Sequence, residues 1–202
     1  MSYNTKQSYP NDGKLYFFDT KPQTTMKDLV RLKTSLTEEM EQILNDQIKI
    51  ESNSSAKYLA MASWCGEKGF ENATTFFLTQ ADEERAHMLK IFNYVIERGG
   101  KAVSPEVSNV RHEYDSLREL CETALEQEIS VTNSINRIVE AARKTNDYAT
   151  DNFMQWFVSE QIEEEAIARR VVELFDIIGE EGIGLFTIDK QIGKVRGAYA
   201  AE

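Results

Sequence analysis

Apolar residues recur three and four positions apart along four long stretches of the chain, which is the pattern of amphipathic α-helices. The first predicted helix begins near Ser35, which has capping-box spacing to Glu38, and lasts to Cys65. Gly66 and Gly69 are expected to interrupt it. Ten Gly and three Pro are few for 202 residues, which disfavours a turn-rich all-β protein. The pattern therefore predicts an all-α fold.

Three further long helices and one short helix are predicted, over about residues 70–98, 116–144, 147–178 and 184–192. The Gly99-Gly100 pair terminates the second helix. Ser116 and Glu119 supply a second capping box for the third, and Asn146 or Asp147 opens the fourth.

The lengths of these helices indicate how they are arranged. A helix of about 30 residues spans about 45 Å, which is the length of a four-helix bundle. The tight turns after the first and third helices make two antiparallel hairpins, and residues 99–115 could reach about 56 Å when extended. We therefore predict a four-helix bundle with one long crossover between the second and third helices and a short fifth helix. Residues 37–202 would form this domain, and residues 1–36 an irregular N-terminal extension.

Each long helix carries a carboxylate on the seam that should be apolar. Stepping alternately three and four residues along each seam finds one acid per helix: Glu51, Glu84, Glu128 and Glu164. His87 lies one turn after the second acid, and Gln161 one turn before the fourth. Counted from the predicted turns, all six lie at one height, about 25 Å along the helices from a turn.

Buried carboxylates at one level require a cation. An unpaired ionised carboxylate in an apolar interior costs several kcal/mol, and neighbouring ones repel one another. No Lys or Arg falls on the four seams. Four negative charges match two divalent cations, and the His and Gln would add neutral ligands. This donor set favours iron or manganese, and zinc could compete. In the alternative reading, individual Glu side chains lie at helix margins in water.

From about Thr37 to Lys194 the chain resembles the non-haem bacterial ferritins. Four segments carry the resemblance: Ile50-Glu51 with Tyr58, the run Asp-Glu-Glu-Arg-Ala-His-Met at 82–88, Glu128, and the run Gln-Trp-Phe-Val-Ser-Glu-Gln-Ile-Glu-Glu-Glu at 155–165. The resemblance implies a ferritin-like bundle that oxidises Fe(II) with dioxygen or peroxide. It also implies storage of the ferric mineral inside a homo-oligomeric shell of 24 subunits.

The resemblance also implies a di-iron ferroxidase centre within each subunit. Its ligands would be Glu51, Glu84, His87, Glu128, Gln161 and Glu164. The first iron would be held by Glu51, Glu84 and His87. Glu84 would bridge to a second iron held by Glu128 and Glu164, with Gln161 beside it.

Four more residues match secondary positions of the family. Tyr58 would hydrogen-bond near the bridging carboxylate and could supply an electron, although a core tyrosine is the alternative. A third iron would lie next to Glu83, Glu160 and Glu163, which could equally be solvated surface residues.

Two relatives of the family are disfavoured. A bacterioferritin would need a haem-ligating Met where this chain has Arg85, and a second Glu-x-x-His motif where it has Gln161-x-x-Glu164, so no haem is expected. A rubrerythrin would need paired Cys-x-x-Cys motifs, and only Cys65 and Cys121 are present.

The net charge of −11 argues against nucleic acid or an anionic membrane as a partner and suits cationic ligands. The apolar run Leu15–Phe18 is too short for a signal sequence or a membrane span. Two cysteines are too few for a disulfide framework, so a cytoplasmic location is expected. The basic extension is absent from the family and could dock on the acidic shell, bind an unknown partner or have no role. Two alternatives remain open: a di-iron oxidase or peroxide-reducing enzyme that stores nothing, and a structural scaffold whose extension binds a partner.

Overall fold

The computed structural model describes residues 34–199, so the predicted extension lies outside the described residues as far as residue 33. The described part contains five helices: α1 (Glu38–Lys68), α2 (Glu71–Glu97), α3 (Leu117–Lys144), α4 (Tyr148–Ile178) and α5 (Gly184–Tyr199). Residues 34–199 contain no β-strand. The predicted all-α fold is confirmed. None of these helices combines the length and the apolar character that a membrane span needs.

The helices form two antiparallel hairpins that pack together as a four-helix bundle. α1 packs along α2, α3 packs along α4, and α1 also contacts α3. Residues 98–116 join the hairpins without helical structure, which confirms the long crossover. α5 packs against both α2 and α4.

Both ends of α1 differ from those that the sequence predicted. Thr37, and not Ser35, caps α1, because its hydroxyl accepts a hydrogen bond from the Met40 amide at 3.2 Å. α1 also continues through Gly66 and ends at Gly69, which has a φ of 83° that only glycine adopts easily. Ser116 and Asp147 cap α3 and α4, as the sequence predicted.

α5 is longer than predicted and extends well beyond Ile192. Ile188, Ile192 and Val195 are all buried, so the apolar face of α5 continues past Gly193. Glycine lowers helix propensity locally, but the buried face compensates by packing against the bundle. The additional turns bring the C-terminal part of α5 alongside the middle of the bundle.

α5 also supplies the missing N-terminal cap of α2. Phe70 contributes no side-chain hydrogen bond there. Instead, the buried carboxylate of Asp189 accepts hydrogen bonds from the Ala73 amide at 2.8 Å, and from the amide and side chain of Asn72 at 3.3 and 2.8 Å. A Cβ on Gly193 would lie 2.9 Å from the Asn72 side chain, so a glycine allows this close approach. A carboxylate at a helix N-terminus is stabilised by unpaired amides and by the helix dipole.

The hydrophobic core consists of two clusters that meet at the level of the acidic seam residues. One cluster includes Phe77 and Phe175, and the other includes Ile48 and Ile135. Along every long helix, the buried glutamate lies between a residue of one cluster and a residue of the other. The polar level is therefore enclosed by apolar packing on both sides along the bundle axis.

Replacement of Asp189 by Ala should destabilise the protein, because it leaves two buried or half-buried backbone amides and the Asn72 side chain without their acceptor. We expect the free energy of unfolding to fall by about 1–3 kcal/mol, measured by chemical denaturation followed by circular dichroism. Asp176→Ala is the control, since it removes only an exposed ion pair with Arg118 and should cost less than about 1 kcal/mol. Equal losses in the two variants would contradict the capping role.

Candidate metal centre

All six seam residues predicted as ligands are buried in the middle of the bundle. Their exposed fractions are 1% for Glu51, 2% for Glu84, 6% for His87, 0% for Glu128, 3% for Gln161 and 3% for Glu164. We call these six residues the polar centre. The reading that placed individual Glu side chains in water at helix margins is therefore wrong for all four.

The three residues predicted to hold the first iron come together. Glu51, Glu84 and His87 each offer one ligand atom, and these atoms all lie within 4.8 Å of one another. The distance from Oε2 of Glu84 to Nδ1 of His87 is 3.7 Å. A metal with bonds of about 2.1 Å holds its ligand atoms about 3–4 Å apart, so small rotations would close the set around one ion.

Apart from a proton that the Glu51 and Glu84 carboxyls can share, two buried carboxylate oxygens in this group have no hydrogen-bond partner among the described residues. They are Oε2 of Glu51 and Oε2 of Glu84. Buried polar atoms without partners carry a large desolvation cost and are uncommon in native proteins. A cation bound between these oxygens and the imidazole would remove that cost, so the donor set fits a divalent metal.

Two residues that the sequence analysis did not identify hold Glu51 in place. Nε2 of Gln47 donates to Oε1 of Glu51 at 2.8 Å, and the Ser134 hydroxyl donates to Oε1 of Gln47 at 2.6 Å. All three side chains are buried. The available signal was the spacing, because Gln47 lies one turn before Glu51 on the same face of α1.

Tyr58 contacts the second part of the polar centre. Its hydroxyl donates to Oε1 of Glu128, whereas the resemblance implied a contact near Glu84, the proposed bridging carboxylate. Nε2 of Gln161 donates to Oε2 of the same glutamate at 3.2 Å and to its backbone carbonyl at 3.3 Å. Glu128 is thus held by two polar side chains from opposite sides of the bundle.

Glu164 is paired with a cation that the sequence analysis missed. Nη2 of Arg196 lies 3.1 and 3.3 Å from the two carboxylate oxygens, and Nε2 of Gln80 donates to one of them at 2.9 Å. The guanidinium also contacts Glu83 and the side-chain oxygen of Gln80. The seams of the four long helices contain no basic residue, and Arg196 enters from α5, which was predicted to end at Ile192.

The three residues predicted for a third iron do not come together. Glu83 is paired with Arg196, whereas Oε1 of Glu160 lies 3.9 Å from Nε2 of His87. Glu163 is exposed. Within residues 34–199, the cluster of Glu51, Glu84 and His87 is the one group of three such side chains whose ligand atoms approach closely enough for a shared metal.

The electrostatics of the polar centre favour protonated carboxyls in the absence of metal. Burial, followed by repulsion from Glu84, raises the pKa of Glu51 well above its usual value. Burial and repulsion from Glu128 do the same to the pKa of Glu84. Burial raises the pKa of Glu128 to about 8, although the hydrogen bond from Tyr58 opposes this shift. A metal would have to displace these protons to bind.

Comparison with known proteins gives consistent matches. The family model described as a ferritin-like domain matches residues 41–178. A "Probable bacterial non-heme ferritin-like protein" of Haemophilus influenzae is 41% identical over 160 residues, covering 79% of this chain and 97% of its own length. A "Bacterial non-heme ferritin" of Campylobacter jejuni is 38% identical over 79% of this chain and 96% of its own. The structure of an open-pore ferritin from Archaeoglobus fulgidus superimposes with a TM-score of 0.76 at 39% identity, covering 79% of this chain and 97% of that one.

Binding of divalent metal should release protons from the polar centre. A pH of about 7 lies below the pKa of the Glu128 carboxyl, which is about 8, so this carboxyl carries a proton that a bound metal would displace. At about pH 9 this carboxyl is already ionised, so fewer protons should be released per metal. Anaerobic calorimetric titration with Mn(II), which stays dissolved at pH 9 where Fe(II) precipitates, measures the number in buffers of different ionisation enthalpy.

Glu128→Gln should lower the proton release at pH 7 and reduce the difference in release between the two pH values. The control is Glu140→Gln, because the Glu140 carboxyl is exposed and its ion pair with Lys144 lowers its pKa. Proton release that does not change with pH in the unmodified protein would contradict a Glu128 pKa between the two pH values.

Proposed function

The chain belongs to the ferritin family, and we propose that it oxidises Fe(II) at the polar centre and stores the ferric product. The observation that carries the proposal is the buried cluster of Glu51, Glu84 and His87, in which two carboxylate oxygens lack partners. Iron is the substrate, and a set of hard oxygen donors with one imidazole suits both its oxidation states.

We propose that the first Fe(II) binds to Glu51, Glu84 and His87. The network from Ser134 through Gln47 fixes one oxygen of Glu51 and leaves the other free for the metal. The Trp156 ring packs against the His87 ring at a steep angle, with the ring centroids 5.4 Å apart, and restricts the rotation of the imidazole. This preorganised support lowers the cost of ordering the ligands.

The second Fe(II) would bind between Glu84, Glu128 and Glu164, with Gln161 beside it. Glu128 would exchange its bond from Gln161 for the metal. Glu164 would turn Oε2 away from Gln80 and Arg196 toward the metal, while Oε1 keeps its contact with Arg196. Each Fe(II) gives one electron, and dioxygen accepts both electrons with two protons to form hydrogen peroxide. The protons that metal binding displaces from the carboxyls can supply this demand.

Tyr58 is proposed as an auxiliary electron donor. It is fully buried, and its hydroxyl donates directly to Glu128, a proposed ligand of the second iron. If the phenol lost an electron, its proton could move to the carboxylate along this hydrogen bond. The packing of its ring against Phe77, at 5.9 Å between centroids, keeps the hydroxyl in place.

Storage requires an assembly of many subunits, and we propose the 24-subunit shell expected from the resemblance. Several large apolar side chains are exposed in the single chain, including Ile162 at 72%, Ile183 at 80% and Phe186 at 71%. Burial of such residues at subunit contacts would stabilise an oligomer. The net charge of −11 would attract Fe(II) to the assembly. The cytoplasm remains the expected location.

Loss of a ligand of the first iron should show in the initial rate of oxidation. Glu84→Ala and, separately, His87→Ala should slow the rapid phase of aerobic Fe(II) oxidation by more than about tenfold, because each removes a ligand of the first iron. Stopped-flow absorbance of the ferric product measures the rate. Glu140→Ala, which changes an exposed glutamate outside the polar centre, should keep the native rate. Native rates in both ligand variants would refute the site assignment.

The amount of iron that the protein retains distinguishes storage from oxidation alone. After aerobic addition of excess Fe(II), the protein should elute as a large oligomer and retain far more than two ferric ions per subunit. Size-exclusion chromatography with iron analysis of the protein peak measures both quantities. Retention of about two ions by a monomer or dimer would instead favour the non-storing di-iron oxidase or peroxide-reducing enzyme. Absence of any oxidation would leave the scaffold reading.

A further inference from the structure

Arg196 brings a permanent positive charge to the edge of the polar centre. A guanidinium remains protonated in proteins and offers five donors in a planar fork. In this chain the fork reaches Glu164, Glu83 and Gln80, which lie on two different long helices. The side chain comes from α5, near the C-terminal end of the described residues.

The position of this charge is also the position where a third metal would need its ligands. Glu83 is one of the three residues that resemble the third-iron positions of the family, and Glu164 is proposed for the adjacent second iron. Arg196 binds both carboxylates at once, with its Nη2 atom 3.1 Å from Oε1 of Glu164. A cation placed between these two carboxylates would overlap with the guanidinium.

The remaining third-iron residues do not offer another position. Glu160 turns toward His87, at 3.9 Å, and Glu163 is exposed. Without Glu83, these two side chains do not form a buried set of ligands. Within the described residues, the one group whose ligand atoms lie close enough for a shared metal contains none of Glu83, Glu160 and Glu163.

Several contacts fix Arg196 in this position. Val195, its neighbour in the chain, is buried in the same hydrophobic cluster as Ile188 and Ile192. Asp189 ties the first half of α5 to the N-terminus of α2. The backbone of α5 is therefore held against the bundle, and the Arg196 guanidinium extends from a packed helix.

We infer that Arg196 takes the place of a third iron, so that each subunit of this protein binds two iron ions at its centre and not three. The inference rests on the proposed function, because it concerns the same centre. A third divalent ion beside Glu83 would overlap with the guanidinium and be repelled by it at short distance, whereas the second ion would need only one oxygen of Glu164.

Anaerobic equilibrium dialysis of the full chain against Fe(II) tests the inference. The unmodified protein should bind two Fe(II) per subunit with high affinity, and Arg196→Gln should bind three, because Glu83 and Glu164 then lack a cation. Lys190→Gln is the matched control. It removes one positive charge from an exposed position on the same helix and should leave the number at two.

Crystals of the unmodified protein soaked anaerobically in Fe(II) give a second measurement that does not depend on a variant. Anomalous diffraction at the iron edge should show two peaks per subunit, with the guanidinium still against Glu83. Three peaks, or an Arg196→Gln protein that still binds two ions, would overturn the inference and leave the proposed function intact. Gain of an ion in Lys190→Gln as well would also overturn it. An unmodified protein that binds no Fe(II) at the centre would instead refute the proposed function.

Discussion

Four glutamates are buried at one level of a helical bundle, and their surroundings must compensate for the cost of burying them. Each acid sits on the inward seam of a different long helix, and none is more than 3% exposed. Charged groups in such surroundings are costly unless protons, hydrogen bonds or cations compensate them. Two hydrophobic clusters on either side of this level supply the stability that makes the cost tolerable. The protein thus keeps costly carboxyl groups buried at a place where a bound metal ion would compensate for them.

The compensation differs between the two halves of the polar centre. Around Glu51 and Glu84 it is incomplete, because two oxygens lack partners and raised pKa values favour protonated carboxyls. Around Glu128 and Glu164 it is more complete, because Tyr58, Gln161, Gln80 and Arg196 supply hydrogen bonds. The first half is therefore ready to accept a cation, and the second must exchange existing partners for one. On the proposed function, this asymmetry predicts that an ion at Glu51, Glu84 and His87 binds before an ion at Glu128 and Glu164.

Much of this arrangement could be predicted from the sequence because helical periodicity is local. The alternation of three and four residues located Glu51, Glu84, Glu128 and Glu164 on the inward seams, and the tight turns placed them at one height. Arg196 could not be found in this way, since its contact with Glu164 depends on how α5 packs across the bundle. The same holds for Asp189, which caps a helix more than a hundred residues earlier in the chain. Gln47, by contrast, was visible one turn from Glu51 and was missed.

We propose that the buried carboxylates hold two iron ions close enough to react with one molecule of dioxygen. This can be tested by Mössbauer spectroscopy of the protein, loaded with two isotopically enriched Fe(II) ions per subunit and then exposed to dioxygen. Most of the ferric iron should first form as magnetically coupled pairs. A spectrum dominated by isolated, uncoupled ferric ions at that loading would contradict it.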